Sequence, residues 1–337
     1  VRKSIDIGAG GKGEKKVVPK GRADLLPTGS TLLNLALSDN AYGGYAKGTL
    51  INMVGDSSAG KTFLAWHLFA EMVHDKKFKD YKLIYDDAER KLKLNIYKLF
   101  GNGMDRVERI SSDYMEEFDQ NVRKLLKEKQ PFVYAIDSFD ALTDKAEKAK
   151  EELKRDYPLK PRLAAEMFRK ICGDLEKQDS LLVVVSQTRD NIGITFGETK
   201  TRSGGRALRF HAMQEFWLAV KGHIKRKGKE VGVSVVGKAK KNHLTGKLRA
   251  ITFDILYDYG LDNIGSLVDW MVLEGFWKKP EKLQTIDTGD DFGSITKDKL
   301  VKLIDSEERE SELIEIVAEC WRKVENEIRT DRRPRYL

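Results

Sequence analysis

Eight residues, "GDSSAGKT" at 55 to 62, carry the spacing G-x-x-x-x-G-K-S/T. They follow an apolar run, "TLINMV", and open an amphipathic segment, "KTFLAWHLFAEMV". A strand, a glycine loop and a helix in that order make an anion site. Glycines let backbone N–H groups converge on phosphate oxygens, and the helix N-terminus adds the positive end of its dipole. Gly55, Asp56, Ser57, Ser58, Ala59 and Gly60 form the cradle. Lys61 reaches the β- and γ-phosphates, and the Thr62 hydroxyl is offered to Mg²⁺. A chance glycine turn is the bland alternative, and the flanking strand and helix argue against it. The expected cofactors are ATP and Mg²⁺.

Such a site needs a second carboxylate for the metal. "FVYAIDS" provides Asp137 at the end of an apolar run, expected on a strand adjacent to the P-loop; a strand-end cap is the alternative. Hydrolysis also needs a group that orients water. "LIYDDAER" ends another apolar run with Asp86, Asp87 and Glu89, and the residues themselves do not choose among the three. The absence of an N-K-x-D run argues against a GTPase. "SGG" at 203 to 205 resembles a transporter-ATPase signature but lies after Asp137, on the wrong side. No lid of the kind expected in a small-molecule kinase is identifiable.

These groups must be held by a scaffold. "TLINMVG", "KLIYDD", "FVYAIDS" and "LLVVVSQ" are strand-like and alternate with amphipathic segments. In one of those, Leu163, Met167, Ile171 and Leu175 recur every four residues, as on one helix face. The pattern predicts an α/β fold with a mostly parallel central sheet covered on both faces. From Glu215 onward, strands of antiparallel character are expected at the sheet edge, followed by a small helix-rich C-terminal piece. The expected division is a flexible Gly/Lys arm over 1–23, a core over 24–265 and a C-terminal domain over 266–337.

The 337 residues include 61 Lys or Arg against 53 Asp or Glu, a net +8 that weakly favours a polyanionic partner. Cys172 and Cys320 stand alone, which fits reduced thiols in a cytoplasmic protein and no metal site. No apolar run is long enough to span a bilayer, so no membrane partner is expected.

One stretch fits no core element: "RDNIGITFGETKTRSGGRALRF", 189 to 210. It is basic and glycine-rich, with isolated apolar residues, directly after "LLVVVSQ". Arg189, Lys200, Arg202, Arg206 and Arg209 could meet phosphates. Gly204 and Gly205 would let backbone approach phosphate closely. A second basic segment, 145 to 166, holds Lys154, Arg155, Lys160 and Arg162. A third, 221 to 247, has nine Lys or Arg against one Glu. Solvated loops, a charged helix and lysine-protected edge strands are the bland alternatives.

Together these motifs resemble the RecA-type DNA recombinases from about Leu25 to Phe276. The resemblance rests on "LPTGSTLLNLAL", "GDSSAGKT", "IYDDAERKL", "YAIDSFDALTDKAE", "LLVVVSQTRDNIGITFG", "SGGRALRFHA" and "KKNHLTGKLRAITFDILYDYGL". "GSLVDWMVLEGFWKKP" is closer to phage recombinases of the UvsX type.

The resemblance implies a RecA-like P-loop core and roles for further residues. Glu89 falls on the family's water-activating glutamate, and Gln187 on its γ-phosphate-sensing glutamine at a strand end. Lys241 falls on a lysine that reaches the neighbouring subunit's ATP. His243 replaces a second such lysine, a departure that would weaken that contact or make it pH-dependent, unless it is an ordinary surface histidine. Tyr97 is placed against adenine with its register off by one. Ile192 falls on a base-wedging residue of a DNA loop. Arg162 lies in the region of a first DNA loop, where Pro161 and Glu166 depart from the pattern. Lys238 falls within a second, weaker site for duplex DNA. The implied function is an ATP-dependent recombination protein that forms a helical homo-oligomeric filament on single-stranded DNA. It would pair that strand with double-stranded DNA, with single-strand-binding and mediator proteins as further partners. A nucleic-acid motor or regulator that exchanges no strands, and a purely structural P-loop binder, are the competing readings.

Overall fold

The computed structural model describes residues 24–143, 159–190, 200–202, 205–280 and 284–333. The N-terminal arm, Lys154, Arg155, Ile192 and Gly204 lie outside these residues. A ten-stranded sheet organises the chain. Its strands are β1 (Thr49–Gly55), β2 (Lys82–Asp86), β3 (Val107–Ile110), β4 (Phe132–Ile136), β5 (Leu181–Asp190), β6 (Lys200–Arg202), β7 (Gln214–Arg226), β8 (Lys229–Asn242), β9 (Ala250–Leu256) and β10 (Gly260–Asp262). The spatial order is β10-β9-β8-β7-β1-β5-β4-β2-β3, with β6 paired to β5 off this path.

Burial on both sides explains the apolar runs. Along β4, Phe132, Tyr134 and Ile136 enter one apolar cluster, and Val133 and Ala135 enter the other. Strand β5 divides likewise, with Leu182 and Val184 opposed to Leu181 and Val183. Alternate side chains of a strand point to opposite faces, so both faces must be covered. Helices α1 (Thr31–Ser38) and α2 (Lys61–His74) supply apolar residues to one face. Helices α4 (Met115–Glu128), α5 (Leu159–Lys177) and α6 (Gly205–His211) supply the other, and a short α3 (Ile96–Phe100) lies between them in sequence. Met167, Ile171 and Leu175 of α5 are buried, as their four-residue spacing predicts.

One expectation is corrected. Strand β7 was expected to be antiparallel at an edge. It pairs parallel with β1, Ile51 opposite Gln214 through Gly55 opposite Leu218, and only then do β8, β9 and β10 continue antiparallel. The P-loop strand is therefore central. A buried network sets this seam: Ser186 donates to Asn52 Oδ1 at 2.9 Å, and Asn52 donates to Glu215 at 3.1 Å. Leaving one such buried partner unmatched would cost about 1–3 kcal/mol.

The division expected after residue 265 falls inside α7 (Asn263–Leu273). That helix buries Leu267, Val268, Trp270 and Met271 in the same cluster as α1 and α2. Helices α8 (Lys297–Ser306) and α9 (Glu310–Glu327) pack on α7, with the Trp270 and Trp321 rings 5.8 Å apart. Arg249 of the β8–β9 loop grips Glu325 of α9, and Lys247 adds a 2.9 Å contact. The Arg249 hydrogen bond outweighs burial and, with Lys247, holds the Glu325 carboxyl down to about 2. This link therefore stays ionised through the neutral range. Among the described residues no helix is long and apolar enough to cross a membrane.

Candidate active site

The P-loop lies between the C-terminal end of β1 and the start of α2. Gly60 caps α2 with φ +85°, a conformation that favours glycine. A Cβ there would also fall 2.3 Å from Ile255 Cδ1, so that side chain would have to move. Lys61 is buried and donates to the carbonyls of Gly55 at 2.7 Å and Asp56 at 2.6 Å. Burial lowers its pKa, against the opposing pull of Asp137, Glu89, Asp56 and Asp140.

Asp137 reaches this loop by a route the sequence did not suggest. Strand β4 is not adjacent to β1; β5 lies between them. Asp137 follows the end of β4, and its Oδ2 accepts from Thr62 at 2.6 Å and from Tyr85 at 2.9 Å. Burial raises the Asp137 pKa, and the Thr62 and Tyr85 hydrogen bonds oppose that rise. The Thr62 hydroxyl and the Asp137 carboxylate are hard oxygen donors set side by side, a set that suits Mg²⁺.

The three acids after β2 separate by their partners. Asp86 is fully buried and accepts from Ser112 N at 2.8 Å, Ser112 Oγ at 2.7 Å and Tyr134 at 2.5 Å. It ties β2 to its neighbours. Asp87 accepts from the backbone of Lys91 at 3.2 Å and Leu92 at 3.0 Å, which shapes the turn. Glu89 lines, together with Asp87, a cavity of about 620 Å³ that also holds Lys61, Thr62 and Asp137. Its Oε1 accepts from Ser138 at 2.7 Å and from the Gln187 amide, and its Oε2 from Lys91 at 2.9 Å. Burial raises the Glu89 pKa. The hydrogen bonds from Ser138, Lys91 and Gln187 overcome that and leave it lowered, so the group is a carboxylate at neutral pH.

Gln187 is held at both ends. Its backbone N–H donates to Asp140 Oδ2 at 2.7 Å, and its amide donates to Glu89. It was expected at a strand end, but β5 runs three residues further and pairs with β6. Arg189 stands opposite Thr201, and Thr188 opposite Arg202. The basic stretch thus leaves the sheet as a short two-stranded ribbon. Thr188 also donates to Asp56 of the P-loop.

The other expected residues lie apart. Lys200 and Arg202 are on β6, Gly205 and Arg206 on α6, and Arg162 on α5. Arg209 is exposed on α6. Lys241 donates to the carbonyls of Arg209 at 2.7 Å and Phe210 at 2.9 Å, so within one chain it caps the C-terminus of α6. His243 is exposed beside it in sequence, and Lys238 is exposed on β8. Tyr97 does not line the cavity; its hydroxyl bonds Asp105 at 2.7 Å, away from the P-loop.

Sequence reasoning missed Ser138, Asp140, Lys91 and the cavity walls Val233, Ile255 and Tyr257. No motif spacing marks the last three, because β8 and β9 reach the P-loop only through the order of strands across the sheet. Tyr257 is the aromatic residue at this wall.

The sheet order and this set of groups define a P-loop ATPase core. A family model described as RecA N-terminal domain matches residues 10–262. The chain is 32% identical over 244 residues to Protein RecA of Fusobacterium nucleatum, covering 72% of this chain and 63% of that protein. It is 31% identical over 273 residues to Protein RecA of Caulobacter sp. strain K31, covering 80% and 74%. The match to Protein RecA of Paramagnetospirillum magneticum is 30% over 246 residues, covering 73% and 67%. The chain belongs to the RecA family.

Proposed function

We propose that this chain is an ATP-dependent protein of homologous recombination and DNA repair. It assembles on single-stranded DNA as a helical filament in the cytoplasm and promotes pairing with a homologous duplex. The observation that carries this reading is the direct link from Glu89 through Gln187 to the ribbon of Arg189, Lys200 and Arg202. ATP supplies the phosphoryl bond to be cleaved, and Mg²⁺ the charge that offsets the leaving oxygens. Thr62 and Asp137 hold the metal, and Lys61 with the P-loop amides from Gly55 to Thr62 holds the phosphates. Glu89 orients and deprotonates water. Gln187 donates its amide to Glu89 and stands at the root of the ribbon, so a shift at the phosphate end moves the DNA-facing end. Residues 1–23 serve as the polymerisation arm, and Lys241 and His243 face the neighbour's nucleotide. Arg209, Gly204, Gly205 and Ile192 contribute to the same DNA loop. Arg162 belongs to the first loop and Lys238 to the duplex site.

The test is electron microscopy with single-stranded DNA and a non-hydrolysable ATP analogue, together with strand transfer between homologous oligonucleotides. Regular filaments and transfer are expected. Filaments without transfer would leave a motor or regulator. In the same assays, Arg202→Ala with Arg206→Ala should flatten the salt dependence of binding by up to about 1.4 units, at ~0.7 per lost phosphate contact.

A further inference from the structure

The carboxylate of Glu89 is divided between two kinds of partner. Its Oε1 is held from inside the protein, by Ser138 at 2.7 Å and by the Gln187 amide. Its Oε2 meets the Lys91 ammonium at 2.9 Å. The two side chains differ in exposure: that of Glu89 is 17% exposed and that of Lys91 is 77% exposed. The oxygen not engaged by Ser138 or Gln187 is thus covered by a long, solvated, movable cation.

The backbone beneath that cation is fixed. Asp87 accepts from Lys91 N at 3.2 Å. Arg90, in the left-handed region at φ +54°, is pinned by its ion pair to Asp113 at 2.7 Å. Only the Lys91 stem is left to swing. It lines the cavity that holds Lys61 and Thr62, and also a second one of about 420 Å³ on the Ser138 and Asp140 side of Glu89. Lys91 therefore sits at the seam between the phosphate cradle and the DNA-side root of the ribbon. The bland account is an exposed Lys–Glu pair, worth about 0–1 kcal/mol. That account gives no reason for the ammonium to occupy the oxygen a water would need.

Resting on the reading of Glu89 as the group that activates water, we propose that Lys91 is an in-chain cation of the hydrolytic site. It pairs with Glu89 Oε2 before hydrolysis and moves to the terminal phosphate group as water attacks the phosphorus. The exchange does two things at once. It uncovers Oε2, which takes a proton from the water as the new oxygen–phosphorus bond forms and the bridging oxygen–phosphorus bond breaks. It also brings positive charge to the phosphoryl oxygens in a site already lined by the carboxylates of Asp87, Glu89 and Asp137. Lys91 gives and takes no proton in this step.

The experiment uses the full chain with saturating single-stranded DNA and compares Lys91→Met, Lys91→Arg and Glu89→Gln. Lys91→Met should lower kcat about a hundredfold to a thousandfold, the scale of one electrostatic donor at a developing charge, with KM for ATP little changed. It should weaken retention of ADP–aluminium fluoride by a similar factor and leave a non-hydrolysable ATP analogue bound as before. Lys91→Arg should recover most of both losses. A Lys91→Met protein with ordinary or faster turnover overturns the proposal, as does an equal loss of affinity for both nucleotide complexes. If Glu89→Gln is inactive while Lys91→Met is normal, the lysine role alone fails. If Glu89→Gln turns over normally, the role of Glu89 fails and this proposal with it.

Discussion

Lys61→Ala should abolish ATP-stabilised DNA binding and lower hydrolysis by at least about a hundredfold to a thousandfold. The reason lies in the charge around it. Lys61 is buried, and the carboxylates of Asp137, Glu89, Asp56 and Asp140 all act on it. Without that ammonium, a polyphosphate would meet the carboxylates of Asp137 and Glu89 with the buried cation that offsets them gone. Burial makes the deficit worse, because solvent screens little there. Nucleotide titration, followed by turnover with saturating single-stranded DNA, checks both halves. Undiminished hydrolysis in the variant would remove the phosphate site from this cavity.

Glu89→Gln should keep ATP and DNA binding but slow hydrolysis by about 10²–10⁴, the range of a lost general base. Glutamine is nearly isosteric, and its carbonyl can still accept from Ser138 and Gln187, so the link to the ribbon survives. What disappears is the basic oxygen now facing Lys91 at 2.9 Å. Filaments of this variant should outlast those of the parent in ATP, because release depends on hydrolysis. Single-turnover kinetics on preformed filaments measures the chemical step itself. Normal turnover would move the base elsewhere. Asp86 is a poor replacement, since Ser112 and Tyr134 already engage both of its oxygens in the core. Asp87 is held by two backbone donors.

The parts of this molecule differ in how far local sequence specifies them. The P-loop was legible because everything it needs is contiguous. Strand β1, Gly60 in its left-handed conformation, Lys61 and Thr62 follow one another within fourteen residues. The apolar runs of β4 and β5 and the four-residue spacing of α5 were legible for the same reason. Both faces of the sheet are buried, and that burial writes itself into residue order. The wall formed by Val233, Ile255 and Tyr257 was not legible, because nothing in the local sequence says which strands reach the P-loop. Tyr257 holds that wall from a turn after β9.

The sequence by itself therefore determined a doubly covered α/β sheet and a phosphate cradle at one strand end. Both depend on hydrogen bonds and periodicities that act between near neighbours in the chain. Only the tertiary structure decided what each of the acidic residues after β2 touches. Placing β5 between β1 and β4 brings Ser138 and Gln187 onto one oxygen of Glu89, from 49 and 98 residues away. Strand order is a property of the whole core, and no local pattern of residues encodes it.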